Sequence, residues 1–405
     1  MIQLQIKLIS PGFADGHYII KAKGFILAVL NWGNKNGCLE DWGAFAYVPI
    51  DPAGNGDFRF SGSRGIPKEA THVCVRCFSP DFSSYEDIIF AIPEKYLNNN
   101  SCISKHSQKF SVLTDLHLSS KPWRIKQALR AAKSEIIFLL GDSTNDGLRE
   151  QFEQFNNCIR EIVPDKIIFP VIGNHDVLHV SQEKNANGCE NYADFQKKLL
   201  TNAEEKGFYI EYDDNSLAYS VQIKNIDLIG LQSVISGRKF LFPEGKQFLW
   251  LENHLKTNNN FSLHLILCHA PLLAHNPNRN VGNPYLSNNK ILQEIIDRYG
   301  QIMFLSGHTH VSPNMLKGNG EFDNIHENIY LDCGSVVATD ISGYEGLMSL
   351  DWNDGCITEL SITENEIEIC MSSIKTGIKF PRGYYHFNLK NFFPATTFII
   401  KGSPL

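Results

Sequence analysis

The sequence predicts an α/β protein in which a two-sheet domain flanked by helices follows a small all-β sandwich. Three observations support this prediction. Short β-rich runs separated by turn residues fill residues 1–103, apolar runs alternate with helical stretches from residue 104, and strand-like patterns return beyond residue 325. The 405 residues, 43% hydrophobic and 20% charged, suit two or three packing units and exclude disordered, collagenous and fibrous proteins.

The N-terminal region carries six short runs that favour β-structure. Turns rich in Gly, Pro, Asn and Asp separate them, a spacing typical of a small sandwich. The runs cover residues 18–22, 25–30, 44–48, 58–61, 72–78 and 87–92. A polar stretch without periodicity at residues 97–101 then indicates a linker.

The remainder of the chain alternates buried strands with helices, which predicts βαβ units and a largely parallel sheet. The strongly apolar strands are expected at residues 110–114, 136–140, 167–172, 263–268 and 302–305. The helices are expected at residues 122–133, 148–162, 192–205, 245–256 and 288–299. Strands at 347–352 and 356–362, joined by a turn at Asn353, Asp354 and Gly355, are expected to complete a second sheet.

These patterns predict three segments along the chain. Residues 1–103 form an accessory domain of immunoglobulin or fibronectin type, residues 104–385 form the main α/β domain, and residues 386–405 form a C-terminal tail that packs on the main domain. The sequence contains no P-loop, dinucleotide-binding fingerprint or nucleophile elbow. Nucleotide-binding and serine-hydrolase classes are therefore not indicated.

Composition and the N-terminal pattern limit the expected binding partners and cellular location. The net charge of −7 argues against a surface built for nucleic acid, and no apolar run reaches the length of a membrane span. The first eight residues alternate in polarity as a strand does and lack a secretory pattern, so a cytoplasmic location is expected. The ten cysteines are scattered, as reduced thiols are, and the close pair Cys74 and Cys77 is expected to be structural.

Polar side chains of types that commonly bind metals follow each of the five apolar strands. They are Asp115 and His117; Asp142; Asn174, His175 and Asp176; His269; and His308 and His310. In an open α/β sheet the carboxyl ends of the strands meet at one crevice, so these groups are expected to converge there. Mixed imidazole, carboxylate and amide ligands without thiolate suit Mn, Fe, Zn or Co.

The number of these ligands is enough for a pair of ions. Asp142 has two carboxylate oxygens and can bridge both ions. Two ions about 3.5–4 Å apart would activate a bridging water and stabilise the charge of an in-line displacement.

The five segments resemble the motifs of the calcineurin-like metallophosphoesterases. In order, that family carries D-x-H, GD, GNH, an isolated His and GH-x-H, and all five occur between residues 110 and 310. The resemblance implies a four-layer catalytic domain with two metals that hydrolyses a small phosphodiester or phosphomonoester through a metal-bridging hydroxide. The stretch from Gly141 to Gly147 is most similar to the bacterial branch that hydrolyses cyclic nucleotides and glycerophosphodiesters.

The resemblance also implies a role for each matching residue. One metal would be held by Asp115, His117, Asp142 and His310. The other would be held by Asp142, Asn174, His269 and His308. His175 would stabilise or protonate the leaving oxygen, and Asp176 would orient the His175 ring.

Several alternatives remain open at this stage. Singly, Asp115 and Asp142 are also typical of turns or helix caps, and His269 of a buried core histidine. Two rival functions for the whole chain are a metal-binding scaffold without turnover and a nuclease with the same motifs. Arg279, in a loop after His269, is a candidate phosphate contact. Other histidines, namely His179, His254, His264, His275 and His326, are expected to have packing or surface roles.

Overall fold

The computed structural model describes most of the chain in fourteen segments. They are residues 4–10, 13–92, 94, 97, 107–118, 122–177, 188–236, 239–241, 246–272, 289–310, 322–325, 328–337, 355–388 and 398–402. Contacts between Cα atoms group the chain into two compact units. Unit 1 comprises Met1–Gln108, Glu345–Ser349 and Ser361–Leu405, and unit 2 comprises Lys109–Tyr344 and Leu350–Leu360.

Five helices and twenty-four strands lie within the described residues. The helices are α1 (Trp123–Ala131), α2 (Arg149–Ile162), α3 (Gly188–Glu205), α4 (Lys246–Thr257) and α5 (Asn289–Tyr299). The first twelve strands are β1 (Leu4–Ser10), β2 (Phe13–Lys21), β3 (Leu27–Asn34), β4 (Gly37–Cys38), β5 (Ala46–Pro49), β6 (Asn55–Gly65), β7 (His72–Phe78), β8 (Tyr85–Ala91), β9 (Gln108–Leu113), β10 (Ile136–Leu140), β11 (Ile167–Val171) and β12 (Ile210–Tyr212). The others are β13 (Tyr219–Ile223), β14 (Ile226–Gly230), β15 (Val234–Ser236), β16 (Lys239–Leu241), β17 (Leu263–Leu267), β18 (Ile302–Ser306), β19 (Phe322–Ile325), β20 (Asn328–Asp332), β21 (Cys356–Ile362), β22 (Glu366–Ser373), β23 (Lys379–Asn388) and β24 (Phe398–Gly402).

Unit 1 contains antiparallel strands. One sheet has the order β24-β1-β2-β6, and in the other β3 pairs with β7 on one edge and with β4 and β5 on the other edge. Alternate residues of β3, namely Ala28, Leu30 and Trp32, are buried in one hydrophobic cluster. This period of two follows from the alternating side-chain directions of a strand, and it leaves the other residues of β3 on the opposite face.

Unit 2 contains two sheets with parallel centres. In the first, β9, β10 and β11 run parallel in the order β11-β10-β9, with β21 next to β9. The second has the order β12-β13-β14-β17-β18-β20-β19, and its strands β14, β17, β18 and β20 are parallel. Its core packs against α4 and α5, with Phe248, Leu251 and Ile296 buried.

The mixed α/β class predicted from the sequence is confirmed. All residues of β10, β17 and β18 are buried, as expected for strands covered on both faces, which explains their continuous apolar runs. Pro170 interrupts the apolar run of β11 and is tolerated because β11 lies at the edge of its sheet. The predicted turn at Asn353 lies outside the described residues, except for Gly355.

The division of the chain into residues 1–103, 104–385 and 386–405 stays a prediction. Unit 1 includes Ser361–Leu405, a different grouping near the C-terminus, and within this unit β24 pairs antiparallel with β1. A tail strand that completes a sheet edge carries no local signal of its partner. No described helix is both long enough and apolar enough to cross a lipid bilayer.

A buried charged cluster lies on the second sheet of unit 2. The Asp227 carboxylate, 2% exposed, accepts hydrogen bonds from His254 Nε2 at 3.0 Å and from His264 Nδ1 at 2.7 Å. Burial alone would raise the pKa of Asp227, but the two hydrogen bonds outweigh burial and lower it. Burial alone would lower the pKa of His254, but Asp227 and Glu211 together outweigh burial and raise it. Both histidines are therefore buried partners of Asp227, and their expected packing roles stay a prediction.

This cluster predicts a pH-dependent contribution to stability. The raised pKa of His254 contributes fully below about pH 6.5, and the lowered pKa of Asp227 contributes fully above about pH 4. The contribution is lost as pH rises through the His254 pKa or falls through the Asp227 pKa. We expect Asp227→Asn to reduce the free energy of unfolding by about 2–4 kcal/mol at pH 5.5, and by less at pH 9, in urea unfolding.

The matched control is Asp214→Asn, since Asp214 is exposed in the loop that follows β12. We expect this control to change the free energy of unfolding by less than about 0.5 kcal/mol at either pH. An Asp227→Asn effect of equal size at pH 5.5 and pH 9 would contradict an ionic contribution from the cluster.

Candidate metal centre

The candidate centre lies where strands of both sheets of unit 2 end. Asp115 and Asp142 follow β9 and β10 of the first sheet, and His269 and His308 follow β17 and β18 of the second. Backbone hydrogen bonds hold the ends together: Asp115 N donates to Gly141 O at 3.2 Å, and Gly307 N donates to His269 O at 3.0 Å. The predicted convergence of these side chains at one crevice is therefore what the structure has.

Two groups of side chains bring their polar atoms within 4.8 Å of one another. One group contains Asp115, His117, Asp142 and His310, and the other contains Asp142, His269 and His308. Asp142 belongs to both groups. Its Oδ2 lies 3.3 Å from His269 Nε2 and 3.6 Å from His117 Nε2.

Asn174 connects the members of the second group. Its Oδ1 lies 3.1 Å from His269 Nε2 and 3.1 Å from His308 Nδ1. In the first group, His310 Nε2 lies 3.2 Å from Asp115 Oδ1 and 3.1 Å from His117 Nε2. The seven side chains named as ligands from the sequence are thus brought together, although their binding of metal stays a prediction.

The backbone of this centre is held in an unusual conformation. Five of its residues have positive φ without being glycine: Asp115 at 53°, His117 at 47°, Asp142 at 49°, His308 at 70° and His310 at 57°. Each such residue costs about 1–2 kcal/mol relative to ordinary helical or extended backbone. Strain of this kind persists only where the surrounding structure enforces it, and it is concentrated at functional sites.

Two glycines allow the close approach of neighbouring strand ends. A Cβ atom at Gly173 would collide with the backbone nitrogen of Asp142, and one at Gly307 would collide with Thr114 Oγ1. The Gly307 Cβ would also come within 2.9 Å of Asp115 Oδ2. Any larger residue at either position would push a candidate ligand out of place.

Backbone carbonyl groups orient two of the imidazole rings. His269 Nδ1 donates to Leu140 O at 2.6 Å, and His310 Nδ1 donates to Val337 O at 3.0 Å. These hydrogen bonds leave Nε2 as the nitrogen that faces Asp142 and Asp115, respectively. Fixing the tautomer through the other ring nitrogen is the usual support of a metal-binding histidine.

Charges at the centre favour ionised carboxylates. Burial raises the pKa of Asp115, but His310 and His269 together outweigh burial and lower this pKa to about 2. Burial likewise opposes ionisation of Asp142, but His269, His117 and His175 together lower the Asp142 pKa. Burial would lower the pKa of His269, but Asp142, Asp115 and the bond to Leu140 O together raise it to about 10. Protons on the imidazoles thus balance the two carboxylates when no cation is bound.

The donor set fits divalent cations. Asp115 Oδ1 and Asp142 Oδ2 are buried and accept no hydrogen bond from any described residue. Both oxygens face imidazole nitrogens at distances of 3.2–3.6 Å. Ligand atoms about 2.0–2.2 Å from one ion have such separations, and a cation would replace the protons that now balance the carboxylates.

His175 lies beside the first group and is half-buried. Its Nδ1 donates to Asn145 O at 2.8 Å, its ring lies 4.5 Å from the His117 ring, and its backbone nitrogen donates to Asp142 Oδ1 at 2.7 Å. The hydrogen bond to Asn145 occupies Nδ1, so Nε2 is the remaining ring nitrogen of His175.

The predicted orienting role of Asp176 requires a correction. The buried Asp176 carboxylate accepts hydrogen bonds from Thr144 N at 2.9 Å, Thr144 Oγ1 at 3.1 Å and Gly173 N at 3.0 Å. It therefore ties together the loops after β10 and β11, and the Asn145 carbonyl group orients the His175 ring instead. Burial raises the pKa of Asp176 to about 6.

Sequence reasoning missed the carbonyl groups of Leu140, Asn145 and Val337. A backbone carbonyl carries no side-chain signal, so no residue type marks these positions. The candidate phosphate contact Arg279 lies outside the described residues, as do His179, His275 and His326.

Comparison with known proteins places these motifs in one family. A family model described as calcineurin-like phosphoesterase matches residues 109–312, about half of the chain. A curated protein of Arcobacter nitrofigilis, the probable glycerophosphodiester phosphodiesterase GpdQ, is 25% identical over 179 residues. The match covers 44% of this chain and 57% of the relative, so it spans little more than half of the relative's length.

Solved structures show more distant similarity. The structure of PhoD is 9% identical with a TM-score of 0.42, covering 98% of this chain and 92% of PhoD. A conserved protein from Streptococcus pneumoniae TIGR4, described as a predicted phosphoesterase, is 14% identical with a TM-score of 0.33, covering 70% of this chain and 99% of that protein. Because the family model matches about half of the chain and covers all five motifs, the chain belongs to the calcineurin-like phosphoesterase family.

Proposed function

We propose that this protein is a metal-dependent phosphoesterase that hydrolyses a phosphodiester or phosphomonoester at a centre of two divalent ions. The observation that carries the proposal is the pair of side-chain groups that share Asp142, with buried carboxylate oxygens facing imidazole nitrogens. The family assignment supports the same reaction class.

The ligand sets follow from the two groups. Asp115, His117, Asp142 and His310 would hold one ion, and Asp142, Asn174, His269 and His308 the other. When bound, the ions supply positive charge that polarises a phosphoryl oxygen and lowers the pKa of a water molecule. Mn, Fe, Zn and Co all suit this mixture of nitrogen and oxygen ligands.

The chain's own residues hold the reacting groups in place. The Asn145 carbonyl group fixes the His175 ring so that Nε2 is available to stabilise or protonate the leaving oxygen. Asp176, through Thr144 and Gly173, holds the two loops that carry Asp142 and His175. In its imidazolium form, with Nδ1–H bound to Asn145 O, His175 would give the Nε2 proton to the leaving oxygen as the phosphorus–oxygen bond breaks.

We further propose that residues 104–385 form a four-layer catalytic domain and that residues 1–103 form an accessory β-sandwich. A cytoplasmic location and a small phosphate ester as substrate belong to the same proposal. The name of the 25% identical relative favours glycerophosphodiesters as the first substrates to test.

The decisive experiment is a substrate panel with metal-reconstituted protein. The panel includes aryl phosphomonoesters and phosphodiesters, glycerophosphodiesters, cyclic nucleotides and polynucleotides, each with Mn, Zn, Co and Fe. Turnover of a small ester supports the proposal. Turnover of polynucleotides alone, with salt-sensitive binding, would make the protein a nuclease, and silence with every metal would leave a binding scaffold.

Metal removal should abolish activity, because in the proposed reaction the ions supply the charge that activates water and polarises the phosphoryl group. We expect two ions per chain in wild-type protein by elemental analysis, loss of turnover on chelation and recovery on adding Mn. Asp142→Asn should lose both ions, because Asp142 belongs to both groups. Asp115→Asn should lose mainly one.

The control for this experiment is Asp214→Asn, which should bind two ions as wild-type does. Full turnover in exhaustively stripped protein would contradict the proposal. Equal losses of metal in Asp115→Asn and Asp142→Asn would contradict the shared position of Asp142.

His175→Ala should reduce kcat about 100-fold without loss of metal, because a positioned proton donor typically contributes 10²–10⁴-fold. Steady-state kinetics and elemental analysis of the same preparation test this expectation. A smaller effect is expected with an aryl ester whose leaving group needs no proton. The control is His72→Ala, since His72 lies on β7 in unit 1. A variant that retained kcat, or that lost both ions, would show that His175 has another role.

A further inference from the structure

Two cysteines of unit 1 bring their sulfur atoms into close contact. Cys38 Sγ and Cys74 Sγ lie 2.7 Å apart, although 36 residues separate them in sequence. Non-bonded carbon atoms pack most favourably at about 3.5–4.0 Å, and sulfur is larger than carbon. A disulfide bond joins two sulfurs at about 2.05 Å, so a small shift of either side chain would reach bonding distance.

The register of β3 with its two neighbours explains this contact. Cys38 on β4 lies opposite Gly33 of β3, and Cys74 on β7 lies opposite Asn31 of β3. Asn31 and Gly33 are two residues apart, so they share one face of the strand. That face is opposite to the face on which Leu30 and Trp32 enter the hydrophobic cluster.

Gly33 leaves room for the two side chains to meet across β3. A Cβ atom at Gly33 would lie 3.4 Å from Cys74 Cβ and 2.7 Å from Gly37 O, so a larger residue would crowd both β4 and β7. Cα atoms of β4 and β7 approach within 8 Å of each other although β3 lies between them. Disulfide bonds need Cα separations below about 7 Å, and the separation of Cα atoms on β4 and β7 is close to that limit.

The close sequence pair Cys74 and Cys77 is a different arrangement. Three residues apart on a strand, their side chains point to opposite faces. Cys77 is buried in the hydrophobic cluster together with Val73 and Val75, whereas Cys74 lies on the other face beside Cys38. Cys77 is therefore part of the hydrophobic core, and the partner of Cys74 comes from a distant part of the chain.

A neighbouring carboxylate makes a metal site an alternative to a disulfide. Cys38, Cys74 and Asp87 have polar atoms within 4.8 Å of one another. Both oxygens of Asp87, however, accept hydrogen bonds from Arg76, from Nε at 2.7 Å and from Nη2 at 2.7 Å. Because Arg76 occupies the carboxylate, two sulfurs remain, whereas structural zinc takes four protein ligands.

We propose that Cys38 and Cys74 are a redox-active pair that closes into a disulfide and cross-links β4 to β7 across β3. With glutathione disulfide as oxidant, the Cys38 thiolate attacks one glutathione sulfur and expels one glutathione thiolate. The Cys74 thiolate then attacks the Cys38 sulfur of the mixed disulfide and expels the second glutathione. Two protein thiols are oxidised, one glutathione disulfide is reduced, and the two protons released from the cysteines are taken up by the two glutathiones.

Cys38 is the better attacking group of the two. It is half-buried, whereas Cys74 is buried. The hydrogen-bonded contact between the two sulfurs lowers the pKa of Cys38 and raises the pKa of Cys74. The more accessible cysteine thus carries the more readily formed thiolate.

The test equilibrates the full chain in glutathione buffers of graded redox potential, quenches with acid, alkylates free thiols and maps the peptides by mass spectrometry. We expect a linked peptide containing Cys38 and Cys74, with loss of two hydrogen atoms, that disappears on reduction. Cys189, which is exposed on α3, should be found alkylated or joined to glutathione, and never linked to another cysteine of the chain. The oxidised protein should show a melting transition about 5 °C higher than the reduced protein.

Variants separate the disulfide from its alternatives. Cys38→Ser and Cys38→Ala should remove both the linked peptide and the melting shift, whereas Cys189→Ser should retain both. Full alkylation of Cys38 and Cys74 in the most oxidising buffer would overturn the proposal, as would a linked peptide that joins Cys74 to Cys77. An ion in addition to the two of the candidate metal centre, retained by Cys189→Ser but lost in Cys38→Ser, would also overturn the proposal and assign Cys38 and Cys74 to a metal site.

Discussion

The candidate centre depends on the burial of two carboxylates side by side. Asp115 and Asp142 are 0% and 1% exposed, and neither could remain ionised there without nearby positive charge. His310 and His269 supply that charge. Both follow strands of the second sheet, and their rings lie beside Asp115 and Asp142, respectively. The surrounding geometry is a consequence of satisfying these two buried anions.

The backbone adapts to the same requirement. Five residues of the centre have positive φ, and Gly173 and Gly307 stand where a side chain would collide with the Asp142 backbone or with Thr114. These features turn the chain sharply at the end of each strand, so that side chains from both sheets point into one space. Local stability is lost in exchange for a fixed arrangement of ligands, as is common at active sites.

Main-chain carbonyl groups orient three imidazole rings of the centre, and no side chain marks their positions in the sequence. Carbonyl groups of Leu140, Val337 and Asn145 set the orientation of His269, His310 and His175. A substitution at Asn145 would keep its carbonyl group, so the orientation of His175 depends on the path of the backbone rather than on the residue type. The loop that carries Asn145 is held in turn by the bonds between Asp176 and Thr144.

Alternation along strands governs unit 1 in a similar manner. The same period of two that buries Leu30 and Trp32 puts Asn31 and Gly33 on the opposite face, where Cys38 and Cys74 meet. One simple rule of strand geometry therefore separates a hydrophobic core from a pair of reactive thiols within the same three strands.

The sequence by itself determined the α/β class, the five helices to within four residues at either end and the seven side chains that converge in unit 2. These features are local. Apolar runs, helix periodicity and the Asp, Asn and His residues after each strand can be recognised without knowing the tertiary contacts. Tertiary structure alone decided the contact of Cys38 with Cys74, the pairing of β24 with β1, the role of Asp176 and the carbonyl groups that orient the imidazoles. Each of these features depends on strand register or on the path of the chain between distant segments. Register and chain path cannot be read from residue types, because they are set by packing between those segments.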